Sequence, residues 1–112
     1  MNEKDPNGLN AHTPGANPDD GKIDFELIER GFARALMDVP GVGTYGCVKY
    51  TRDGWMNVPD AIRRCKSAAA RHRNAHDRGE LYDAKSCSLH KAHEAWNALA
   101  QLELIKRELD GS

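Results

Sequence analysis

Apolar residues at steps of three and four, with no stretch of strand-like alternation, constrain this chain more than any other feature. Phe25, Ile28, Phe32, Leu36 and Val39 follow that spacing and predict a first helix from about Asp24 to Asp38, with Asp24 as its cap. Ile62, Cys65, Ala69, His72 and His76 do the same from Ala61 to Arg78, where Asp60 is the expected cap and Gly79 the terminator. A last helix is expected from about Ser88 to Leu109, with Leu89, Ala92, Trp96, Leu99 and Ala100 as its apolar stripe and His93 and Asn97 at the edge. Pro40 stops the first helix or starts another, so GVGTYGCVKY reads as a short helix or a glycine-rich turn. Such stripes bury only against each other, and the expected fold is an all-α bundle of about four helices.

Residues 1–22 differ in kind. Three prolines and three glycines among Asn, Asp and Thr leave almost nothing apolar to bury, so a flexible arm is expected there, with one helical domain over 23–110. Three cysteines without a CxxC pair argue against a disulfide framework or a zinc ribbon and suit a reducing cytoplasm. No apolar run approaches the roughly 18 residues of a membrane span. A formal charge of −1 gives no reason to expect binding to a nucleic acid polymer. The charge is nevertheless uneven: Arg63, Arg64, Lys66, Arg71, Arg73 and Arg78 face only Asp77 between Ala61 and Arg78, which suits a phosphate-bearing ligand or a solvated helix face.

The titratable groups concentrate in RHRNAHDRGELYD, residues 71–83. His72 and His76 lie one helical turn apart and can point at a shared ligand. Glu80 and Asp83 follow the helix end, where a loop can return them over the same groove and offer hard oxygen to a divalent cation. Cys87, His90 and His93 have zinc-like spacing, but steps of three on one helix splay the rings by about 60°, which argues against zinc there. GVGTYG lacks the GK[ST] ending of a phosphate loop.

The run from Arg71 to Asn97, with RH, RGE, D and HKAHEAWNALA in order, together with DDGK at 19–22, GTYGCVKY at 43–50 and Trp55, resembles the phage dATP/dGTP diphosphohydrolase N-terminal-domain family. That family is related to the MazG-like all-alpha nucleotide pyrophosphohydrolases. The resemblance implies a helical core, dimeric or larger, that binds a divalent metal and a nucleoside triphosphate and releases pyrophosphate in the cytoplasm of an infected host cell. Lys49, Tyr50 and Trp55, then Arg71, His72, Glu80, Asp83, His93 and Asn97, occupy its motif places. On chemical grounds Glu80, Asp83, His72 and His93 are the expected ligands of Mg²⁺ or Mn²⁺. Glu80, Asp83 and Lys49 are the expected catalytic groups, and Lys49, Tyr50, Trp55, Arg71 and Asn97 the nucleotide contacts. The chain departs from the pattern at Arg73, Asn74 and His76, and at Cys87 where a glycine is usual. A binding protein that sequesters a signalling nucleotide without turnover, and a helical scaffold, are the alternatives.

Overall fold

A computed structural model describes residues 21–111, and the arm expected over 1–22 lies almost wholly outside them. The chain is all-α. Residues up to Gly31 and residues from Phe32 onward are two compact units. In the first, α1 is a single turn, Glu26–Glu29, capped by the Asp24 carboxylate, which accepts a hydrogen bond from the Glu26 N–H at 3.0 Å. The expected helix over 24–38 therefore does not form as one piece. At Gly31 a Cβ would stand 2.5 Å from the Leu27 carbonyl oxygen, so the chain tightens there in a way only glycine tolerates.

The second unit holds α2 (Ala35–Lys49), a 3₁₀ turn (Gly54–Asn57), α3 (Ala61–Asp77) and α4 (His90–Leu109). α2 runs straight through Pro40 and the glycines that suggested a stop or a turn. Pro40 is the sixth residue of the helix and forfeits one bond, to the Leu36 carbonyl. What holds the helix is α4, against which it packs. Val42 is buried, and at Gly43 a Cβ would lie 2.5 Å from Cη2 of Trp96, so the glycine is the space the indole occupies.

α3 and α4 form the principal packing of the unit. Ala69 and Ala75 of α3 and Ala92 and Ala100 of α4 are buried, and side chains this small let packed helices approach closely. Asp60 does not cap α3 with its side chain: it takes a left-handed conformation (φ 57°) and pairs with Arg63. Gly79 ends the helix as expected. With φ 96° it donates to the His76 carbonyl while Glu80 N–H reaches back to Ala75, the paired bonds of a Schellman close.

The chain then makes a tight loop. A lone antiparallel bridge joins Tyr82 to Leu89, Asp83 N–H bonds the Ser88 carbonyl at 2.8 Å, and His90 N–H bonds the Leu81 carbonyl at 3.0 Å. On α4 the buried face carries His90, Ala92, His93 and Ala100, whereas Leu99, expected in the apolar stripe, is exposed. Among the described residues no helix is long and apolar enough to cross a membrane.

Candidate functional site

Two histidines of α4 and one of α3 meet where the loop 80–89 closes over them. The His72 ring stacks on His93, with centroids 4.3 Å apart and planes within 10°. Its Nδ1 lies 2.8 Å from Nδ1 of His90. His90 and His93 are both buried. A three-residue step does splay them, but His72 enters from the facing helix and touches both, a convergence invisible along α4 alone.

Asp83 joins from the loop. Its Oδ2 accepts hydrogen bonds from the Ser86 backbone N–H at 3.0 Å and the Ser86 hydroxyl at 2.8 Å. Burial alone would raise its pKa, yet these two bonds, with the neighbouring histidines, hold the carboxyl below its ordinary value. Asp83 is thus ionised at neutral pH and can only accept. Because Ser86 has one hydroxyl proton and gives it to Asp83, its 2.6 Å contact with His93 requires Nε2–H of His93 to donate. Burial, followed by repulsion from the other two rings, lowers the pKa of His72; for His93 burial is again the largest cause, with Asp83 opposing. Both rings are kept neutral, so the 3.8 Å approach of His93 to Asp83 is bridged by Ser86 and is not an ion pair.

Glu80 takes a different position from Asp83. Its Oε2 lies 3.6 Å from Nε2 of His90, an atom with no hydrogen-bond partner among the described residues. His76 is one turn beyond His72 and is not part of the cluster; its Nδ1 is likewise buried and unpartnered. Cys87 is exposed and takes φ 61°, a backbone conformation that favours glycine.

His72, Asp83 and His93 line a cavity of about 640 Å³. Lys49, Tyr50, Trp55, Arg71 and Asn97 also line it, so these candidate contacts share one hollow with the histidines; Glu80 is not on its wall. Trp55 and Trp96 meet edge to face at 5.9 Å on the same wall. Asn97 donates to the His93 carbonyl at 2.8 Å. Sequence reasoning passed over Arg52 and Lys85, which with Lys49, Arg63, Arg64 and Arg71 give the wall six cations against the single carboxylate of Asp83. It also passed over Ser86 and set His90 aside; the signal available was that HKAH opens a helix directly after the acidic loop.

The family model described as dATP/dGTP diphosphohydrolase, N-terminal, matches residues 12–111. The chain belongs to this family. No curated protein and no solved structure matches it. The match runs through the second unit as far as residue 111 and covers every residue of the cavity wall.

Proposed function

We propose that the protein is a metal-dependent diphosphohydrolase of purine deoxynucleoside triphosphates, releasing pyrophosphate and a monophosphate, with a role in phage nucleotide metabolism in the host cytoplasm. The observation that carries this reading is the cavity wall: six cations and a pair of tryptophans around a volume of about 640 Å³, with an ionised aspartate and two histidines, His72 and His93, on the same wall. A nucleotide is a planar base joined to a compact anion, and the wall offers both complements. Lys49, Arg71 and their neighbours would neutralise the triphosphate, and Tyr50 and Trp55 would flank the base. Water attacks the α-phosphorus, the bridging P–O bond to the β-phosphoryl group breaks, and pyrophosphate leaves. Asp83, which accepts hydrogen bonds only, orients that water, and Lys49 offsets charge building on the leaving group. A divalent cation at Asp83 would supply further charge neutralisation.

The single carboxylate on the wall favours a second reading, a protein that sequesters a nucleotide without hydrolysing it. One experiment separates the two: purified protein is incubated with each deoxynucleoside triphosphate and Mg²⁺ or Mn²⁺, and pyrophosphate and monophosphate are assayed. Purine-selective release supports the enzyme; tight binding with no release supports sequestration.

We also propose self-association into a dimer or larger assembly. Leu99, Leu102 and Leu109 of α4 are each more than half exposed, and the buried apolar core consists of one valine and four alanines among the described residues.

A further inference from the structure

We propose that His72, His90 and Asp83 form a binding site for one first-row transition-metal dication, of the Mn²⁺ or Zn²⁺ type, and that Glu80 serves it as a positioning residue by holding the far side of the His90 ring. The proposal refines the functional reading above and rests on it only for the placement of the ion beside the nucleotide cavity.

Geometry comes first. One ligand atom from each of His72, Asp83 and His90 lies within 4.8 Å of the others. The two Nδ1 atoms are 2.8 Å apart. With metal–nitrogen bonds of roughly 2.1 Å, two imidazole nitrogens at right angles on one ion stand roughly 3 Å apart, so the rings need to part by only a few tenths of an ångström. Asp83 brings the third donor from the loop already ionised.

The far side of His90 decides which nitrogen is available. Its Nε2 is buried, has no hydrogen-bond partner among the described residues and faces the Glu80 carboxylate at 3.6 Å. A bare lone pair opposite a carboxylate is repelled, whereas an N–H there is attracted, so the ring proton belongs on Nε2 and the lone pair on Nδ1, aimed at His72 and Asp83. A carboxylate behind a ligating imidazole is the usual support of a metal-bound histidine: it fixes the tautomer and makes the ligand more basic. His93 has a different part. Its Nε2–H is committed to Ser86, and its ring stacks flat on His72, walling that ligand into place.

Two imidazoles and one carboxylate select the ion. Mg²⁺ prefers an all-oxygen shell and parts with its water reluctantly, whereas Mn²⁺, Co²⁺ and Zn²⁺ accept imidazole readily. The expected preference is therefore for a transition metal even though the family's substrates are nucleotides.

The test uses the full chain, stripped with chelator and free of nucleotide, titrated with Mn²⁺, Co²⁺, Zn²⁺ or Mg²⁺ alone. Stoichiometry is read by calorimetry and elemental analysis, and the melting midpoint by circular dichroism. One ion per chain and an upward shift of the midpoint are expected for the transition metals, with neither for Mg²⁺ at the same concentrations. Glu80→Gln should weaken binding about 10- to 100-fold while helicity is kept. His72→Ala should abolish binding, and His76→Ala should leave it unchanged. Since His72→Ala could disturb packing, the absorption spectrum of the Co²⁺-loaded native protein gives a second readout: bands of a nitrogen- and oxygen-ligated ion are expected. Absence of ion uptake by the native chain, equal affinity for Mg²⁺, or a Glu80→Gln variant that binds like the native protein would overturn the proposal. Because no nucleotide is present, these outcomes are independent of whether the protein hydrolyses one.

Discussion

Gly43 is where one atom decides how two helices meet. A methyl group there would stand 2.5 and 2.6 Å from Cη2 and Cζ3 of Trp96, so either the indole must rotate away from Trp55 or α2 must lift from α4. Gly43→Ala is expected to destabilise by about 1–3 kcal/mol through overpacking, even though alanine is the better helix former; a urea titration measures it. Ser86 is the equivalent hinge of the polar cluster, since it joins Asp83 to His93. Glu94 shows a milder effect at the α3–α4 edge. Its carboxyl lies below the ordinary 4.5, first because Lys91 hydrogen-bonds it and then through Arg73, against an opposing effect of burial. A depressed carboxyl contributes stability that is complete above the unfolded pKa and is lost as pH falls through the lower folded value. Glu94→Gln should therefore remove a small part of the stability lost between pH 4.5 and lower pH, about half a kcal/mol or less for so solvent-screened a pair, as read from melts across that range.

Among the elements, the loop between α3 and α4 carries most of the chemistry and is held by backbone geometry at both ends. At its start Gly79 has φ 96°, and Gly79→Ala should cost about 1–2 kcal/mol, the penalty of a left-handed residue with a Cβ. At its end Cys87 has φ 61° and already bears that penalty. Cys87→Gly should relieve it, offset by glycine's larger loss of freedom on folding of about 0.5–1 kcal/mol, and leave a net gain of a few tenths to about 1 kcal/mol. Paired thermal melts of the two variants test the contrast in sign. α2 makes the complementary point: its sequence of proline and glycines has poor helical propensity, and its contact with α4 compensates.

For the whole molecule, the balance between a small buried core and a broad apolar surface sets the behaviour. Leu99, Leu102 and Leu109 on α4 stand exposed while no large side chain is fully buried among the described residues. Sedimentation at increasing concentration is expected to show association at micromolar levels, and Leu102→Glu to shift the protein toward monomer without loss of helicity. A native chain that remains monomeric throughout that range would refute self-association.

The sequence by itself determined the all-α class, the extents of α3 and α4 to within two residues, the glycine close of α3, and the concentration of titratable groups at 71–83. These are local properties: periodicity, turn chemistry and composition act over a few residues and can be read there. It did not determine that the first helical pattern breaks at Gly31, that Pro40 lies inside α2, or that Asp60 pairs with Arg63 and does not cap α3 with its side chain. Nor did it reveal that His90 meets His72, that the Glu80 carboxylate stands 3.6 Å from Nε2 of His90, or that Arg52 and Lys85 face the same hollow as Arg71. Each of those depends on which atoms of distant segments come within a few ångströms. That is decided by how closely α3 and α4 approach, and helical spacing along one chain does not encode the distance between two helices.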